Sequence, residues 1–258
     1  MSHISYSEIK TWKECPYRHK LMYLDRIKGF KGNIFTAFGT ALHNTCELIA
    51  KNEPLTIKEQ EESFEEQFLF GITKLPPEEL EAMAESQYDS FNEQGISLVK
   101  EIMPALKKQF GNYEFISAEE RLMEDVELFD LKFKGYIDLV IRTEDGKYHI
   151  IDWKTCSWGW DSHKKNDKMV VYQLAFYKHY FAQKHNIDPK DIELYFGLLK
   201  RTAKKNRVEI FRVSGGKRRV NNALGLMTQA LKNINKGVCI KNRLSCKYCA
   251  FYKTQHCT

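Results

Sequence analysis

Apolar residues recur at helical spacing through most of the first hundred positions and at roughly alternate positions after Gly111, so the chain divides into a helical part and a sheet. The stretch SYSE at residues 5–8 has the Ser-x-x-Glu spacing of a capping box, in which Ser5 and Glu8 satisfy each other's free backbone donors. A helix therefore starts there with Ile9 and Trp12 on its buried face. It ends near Cys15, because Pro16 disfavours helical geometry in the residue before it. Residues 36–51 place Phe38, Leu42, Thr45 and Leu48 or Ile49 on one stripe, and residues 57–70 and 78–109 continue in helical period. YEFISAEERL, VELFDLKFKGYIDLVI and KYHIIDWK then predict the strands of a small sheet. A helix near 167–185, strands near 191–200 and 206–213, and a helix near 217–235 complete the pattern, with no internal repeat.

One predicted hairpin concentrates chemistry. In GYIDLVIRTEDGKYHIIDWKT, a three-residue loop Glu144-Asp145-Gly146 pairs Thr143 with Lys147 and sets Asp138 opposite Asp152, with Lys154 two residues further on the same face. A two-residue Asp-Gly loop shifts the register by one and parts the carboxylates, so the convergence depends on the loop. Two close carboxylates raise each other's pKa unless a cation lies between them. A hard divalent ion, Mg²⁺ or Mn²⁺, resolves the conflict, and the lysine would orient the water that attacks a phosphodiester. Taken alone, Asp-x-Lys is frequent by chance, and a hairpin whose polar residues face water is the plain alternative.

Composition changes the picture in two places. The net charge of +6 hides an asymmetry: residues 51–101 carry thirteen acids against four bases, whereas residues 210–258 carry ten bases and no acid. Residues 200–219 hold nine bases and one acid, which favours phosphate as a partner. The seven cysteines are an odd number in a chain without a recognisable export signal or membrane-length apolar run, so metal ligation or buried thiols are expected in place of a disulfide framework, in a soluble, cytoplasmic protein. Three of them, Cys246, Cys249 and Cys257, crowd the tail, one short of a tetrahedral thiolate site.

The ordered series SEIKTWKECPYRHKLMYL, GTALH, SAEERL, GYID, IIDWKT, YQLAFY and the cysteine tail resembles the PD-(D/E)XK nucleases, in particular the RecB-like branch that includes iron–sulfur CRISPR-associated exonucleases. The resemblance implies an α/β fold: a small central mixed sheet flanked by helices, a mostly helical N-terminal region and a cysteine-ligated C-terminal staple. One nuclease domain would span residues 1–258, with 44–110 as a helical insertion or roof and 111–235 as the core. It implies that His43, Asp138, Asp152 and the Trp153 carbonyl hold Mg²⁺ or Mn²⁺, that Lys154 serves the attacking water, and that Glu119 lies near the metals. Tyr172 and Gln173 would hold the scissile strand. Cys15 would join Cys246, Cys249 and Cys257 around a [4Fe–4S] cluster. The seven residues between Cys249 and Cys257, Ala250 where proline is common, and His256 keep a zinc site open.

The expected activity is metal-dependent DNA exonuclease action on single-stranded or frayed ends, in recombination, repair or viral DNA metabolism. Lys217, Arg218 and Arg219 would grip phosphates, and CRISPR-adaptation or recombination proteins would be partners. The rivals are a non-catalytic nucleic-acid-binding or assembly protein and a sequence-specific endonuclease. Trp158 and Trp160 are read as core residues before base platforms.

Overall fold

The computed structural model describes residues 2–27, 29, 31–51 and 55–258, of Tyr248 only the backbone. Residues 52–54 of the predicted helical region lie outside them. The sheet has six strands: β1 (His3–Ser5), β2 (Tyr113–Asp125), β3 (Lys132–Thr143), β4 (Tyr148–Cys156), β5 (Ile192–Lys200) and β6 (Val208–Val213). Strand β3 pairs antiparallel with β2 along its whole length, and with β4 from Leu139–Ile151 to Arg142–Tyr148. Strand β4 runs parallel to β5, and β6 closes the edge antiparallel to β5. The parallel β4–β5 pair requires a crossover, which is supplied by α7 (Ser162–Lys165) and α8 (Lys168–His185).

Each face of the sheet carries its own core. On one, Phe133, Ile137, Val140, Ile150 and Phe196 pack with α1 (Tyr6–Glu14), α8 and α9 (Lys217–Asn235). Helix α8 is buried on most sides because it lies between the sheet and α9, which is why its pattern is only weakly amphipathic. On the other face, Leu139, Ile141, Ile151 and Trp153 share a core with α3 (Ile34–Ala50), α4 (Ile57–Ile72) and α6 (Glu85–Phe110). The Trp153 ring fills space left by Gly197, its partner on β5: a Cβ at Gly197 would stand 2.2 Å from Cε3 of that ring.

Several expectations need correction. The helix foreseen over 78–109 is two: α5 (Pro77–Ala82) ends at Met83 and α6 begins at Glu85. The chain resumes helix after Cys15 as α2 (Pro16–His19) and a π turn over Lys20–Leu24, since proline is tolerated at the first position of a new helix. Residues 126–131 of VELFDL form the turn joining β2 to β3. The capping box is half formed: Ser5 accepts from the Glu8 N–H, but the Glu8 side chain turns away to meet buried His19 at 2.9 Å. Strand β1, parallel to β3, was not foreseen.

Candidate active site

Strand β2 occupies one edge of β3 throughout, so β1 and β4 share the other, β1 pairing with residues 132–134 and β4 with 139–142. Between them the edge of β3 is open, and Asp138 stands where β3 and β4 part. The hairpin has the three-residue loop: the Thr143 N–H donates to Lys147 O at 3.1 Å, and Gly146 takes φ +81°. Continuing that register places Asp138 opposite Asp152. Beyond the last paired residues a backbone donor on β4 loses its strand partner, and the Asp138 carboxylate replaces it, accepting from the Trp153 N–H at 2.7 Å.

The neighbours of this fork are charged. Lys154 Nζ lies 2.6 Å from Asp152 Oδ2, and His43 Nδ1 lies 3.5 Å from Asp138 Oδ2. Asp152 is 1% exposed, and apart from Lys154 neither oxygen finds a partner among the described residues. Burial raises the Asp138 and Asp152 carboxyls to about 6, with Lys154 pulling both back down. Burial lowers His43 to about 4, despite the opposing effects of Asp152 and a hydrogen bond to the Trp153 backbone. Burial also presses on Lys154, but Asp152 and Asp138 outweigh it and leave the amine above its ordinary value. Near neutral pH the site therefore offers two carboxylates, an uncharged imidazole and a fixed ammonium. Those donors suit a hard divalent cation. Among the described residues, no three His, Cys, Asp or Glu side chains are grouped so as to hold a metal ion as they stand.

Glu119 lies across from Asp138 in the β2–β3 register and has left-handed backbone, φ +47°, an uncommon state for a non-glycine residue. Partial burial, then Glu47 and Asp152, push its carboxyl upward. Glu120 instead bonds Lys184 and His185. On α8, Gln173 donates to the Tyr177 hydroxyl at 3.0 Å, and the phenol of Tyr177 is raised by burial and then by Asp152. Tyr172 lines a cleft of about 550 Å³ with Lys217, Arg218 and Arg219 at the start of α9. Tyr6, unforeseen from sequence, donates to Met169 O at 2.6 Å, and Asp152 adds to the burial that raises its phenol. No spacing rule finds it, because β1 and the fold of α1 bring it there. Trp160 packs on Phe196, but Trp158 is 73% exposed, which corrects its reading as a core residue.

At the far side of α1, Cys15, Cys246, Cys249 and Cys257 line one small cavity with Leu21 and Phe251. Hydrogen bonds tie the tail to the N-terminal helices. Asn242 Nδ2 and Ser245 Oγ both donate to Glu14 O, at 2.8 and 2.7 Å, and the Tyr17 hydroxyl donates to His256 O at 3.1 Å. The Asn242 N–H points to Cys15 Sγ at 3.3 Å.

A strand fork that joins an aspartate to an Asp-x-Lys pair, on a mixed sheet covered by helices on both faces, defines a nuclease core. The family description of the PD-(D/E)XK nuclease superfamily matches residues 3–254, and the chain belongs to that superfamily. Its fold is also that of a protein from Eubacterium rectale provisionally named an exonuclease. The two share 12% identity with a TM-score of 0.62, over 98% of this chain and 89% of the other. A second solved structure, SSO0001, covers 97% of this chain and 84% of its own at 14% identity, with a TM-score of 0.44. No curated protein matches the sequence. Members of the superfamily typically use divalent metals such as Mg²⁺ or Mn²⁺. No helix among the described residues is long and apolar enough to cross a membrane.

Proposed function

We propose that this nuclease is a divalent-metal-dependent deoxyribonuclease that digests DNA from its ends, with a preference for unpaired strands. The observation that carries this reading is the Asp152 carboxylate, buried at the fork with no neutralising neighbour but Lys154. Mg²⁺ or Mn²⁺ held by Asp138 and Asp152, with His43 and the Trp153 carbonyl completing the set and Glu119 alongside, would supply Lewis-acid polarisation of the phosphate. The chain's own groups do the rest. Uncharged His43 offers a lone pair without adding repulsion. Lys154, held in its charged form, orients the attacking water and offsets charge that develops on the phosphate. Asp138 fixes the Trp153 peptide between the two carboxylates. Tyr172 and Gln173 would steady the scissile strand, while Lys217, Arg218 and Arg219 position the backbone without taking part in the chemistry.

The test is digestion of single- and double-stranded DNA labelled at either end, with Mn²⁺, Mg²⁺ or chelator. Metal-dependent shortening from an end, with closed circular DNA left intact, is expected. Discrete fragments from a closed circle would replace the exonuclease reading with an endonuclease. Absence of cleavage with either metal would leave a binding or assembly role.

We also propose that Cys15, Cys246, Cys249 and Cys257 ligate a [4Fe–4S] cluster or a zinc ion. What supports this is that all four cysteines line one small cavity and are the donor type both groups take, although as they stand the side chains are not grouped closely enough to hold a metal. The bound group would fasten α1 and α2 to the tail. Brown, iron- and sulfide-containing protein after anaerobic purification is expected for the cluster, and colourless protein with one zinc per chain for the ion. Protein with neither would reduce the cysteines to buried thiols.

A further inference from the structure

The loop that follows β4 carries the most exposed tryptophan of the chain. Trp158 is 73% exposed, whereas Trp12 and Trp153 are buried at 8% and 1%, and Trp160 packs against Phe196. The exposure does not come from a loose loop. The Arg201 N–H donates to Cys156 O at 2.7 Å, and the Thr202 N–H and hydroxyl donate to Ser157 O at 3.0 and 2.9 Å. Beyond Trp158, Trp160 is seated under Lys164, whose Nζ lies 4.9 Å from the ring centroid. A backbone fixed before and after it therefore presents an indole face to solvent, where a large aromatic ring gains nothing from burial.

The segment hydrogen-bonded to this loop, which begins at Arg201 and Thr202, is cationic and leads to a second exposed ring. Phe35, in the first turn of α3, is 54% exposed, and the Arg201 guanidinium lies 5.4 Å from its ring and 4.2 Å from that of Phe91. Lys204 and Lys205 are exposed in the turn between β5 and β6, with no ion-pair partner among the described residues. The nearby acids are engaged: Asp161 caps α7, and Glu209 pairs with Lys165 and Lys200. Both exposed rings lie on segments that also supply residues to the fork. Phe35 and His43 are eight residues apart on α3, about 12 Å along the helix axis. Trp158 is four residues beyond Lys154. That distance corresponds to a few stacked nucleotides at about 3.4 Å each.

We infer that Trp158 is the stacking station for an unpaired base of single-stranded DNA leading to the fork, with the phosphates met by the basic turn of residues 201–205 that is hydrogen-bonded to its loop. Paired bases keep their faces covered, whereas an unpaired base offers one to the indole while its phosphates meet the lysines. This rests on the reading of DNA as substrate, and it names the residue that favours unpaired strands.

The test measures binding in chelator, using oligothymidylate and a blunt hairpin duplex. Trp158→Ala is expected to weaken oligothymidylate binding by about five- to a hundredfold and leave duplex binding within about twofold, with most of the loss restored by Trp158→Phe. Oligothymidylate should quench the fluorescence of the wild type and not that of Trp158→Phe. An unchanged melting temperature shows that the variants are folded. Unchanged affinity, an equal loss on both DNAs, or a wild type that fails to bind oligothymidylate overturns the proposal. Because no cleavage occurs in chelator, the catalytic reading is tested apart. A protein inactive with every metal, yet losing only single-strand binding on Trp158→Ala, would remove the hydrolysis and keep the stacking station.

Discussion

Asp152 combines two properties that pull apart: near-complete burial and a charge that the proposed metal chemistry requires. Replacing it by asparagine keeps the shape and removes the charge, so Asp152→Asn is expected to lose cleavage by at least about a hundredfold while retaining the fold. Lys154→Ala should do the same, with turnover on end-labelled DNA as the measurement. The titration gives an independent check on metal-free protein. Asp138 and Asp152 hold protons up to about pH 6 in the folded state, whereas unfolded carboxyls release them near 4. The stability these groups contribute is therefore present at low pH and is lost as pH rises through 6. His43, lowered to about 4, acts in the opposite sense: its contribution is present above its unfolded value and is lost as pH falls through 4. The difference between wild type and Asp152→Asn reports chiefly on this carboxyl, with a smaller change at His43, which Asp152 also holds up. In chelator the wild type should lose stability relative to the variant between about pH 4 and pH 6, read from urea midpoints, and a flat difference would remove the burial argument.

Among the elements, the β3–β4 hairpin was legible in the sequence once the three-residue loop was chosen, because the loop sets the register and Gly146 takes its left-handed position without steric cost. The long amphipathic helices were equally legible. What was not legible depends on partners far along the chain. Strand β1 is three residues long and exists through its pairing with residues 132–134. The Glu8 side chain left its cap because His19 offered a buried partner, and the break at Met83–Ala84 interrupts a pattern that stays in helical period. In the site, Asp138, Asp152 and Lys154 could be placed by counting, whereas Tyr6 and the left-handed Glu119 could not, since no local spacing encodes them. Gly197 is another long-range requirement, as its missing side chain is the space occupied by Trp153. Gly197→Ala is expected to destabilise by about 1–3 kcal/mol through overpacking and, by displacing Trp153 between Asp152 and Lys154, to lower turnover as well. Calorimetry together with kcat would show whether the two losses travel together.

For the whole molecule, the division of charge predicts how DNA is gripped. Replacing Lys217, Arg218 and Arg219 by glutamine should weaken binding to every sequence and flatten the dependence of log affinity on log salt, by up to about 0.9 for each phosphate that is no longer neutralised on duplex DNA. An unchanged slope in a salt titration would place the track elsewhere. The cysteine cavity makes a different kind of connection. Cys15→Ala should lower both the metal content and the melting temperature, because a group that binds only the folded chain adds its binding energy to folding. Unchanged values for both would leave the attachment to hydrogen bonds and packing, among them the bonds from Asn242 and Ser245 to Glu14 and from Tyr17 to His256.

Those hydrogen bonds also set a timetable. Glu14 and Tyr17 leave the ribosome more than two hundred residues before the segment that docks on them, Ile240 to His256. At ordinary elongation rates the interval is on the order of ten to forty seconds. Throughout it the contacts of α1 and α2 with the tail are missing, although β1 can pair with β3, and α1 can pack on α8, as soon as those elements emerge. The fork itself can assemble once β5 has emerged, well before the tail arrives. The nascent chain thus passes through a period in which the residues of the fork are together while Glu14 and Tyr17 still wait for their partners in the tail.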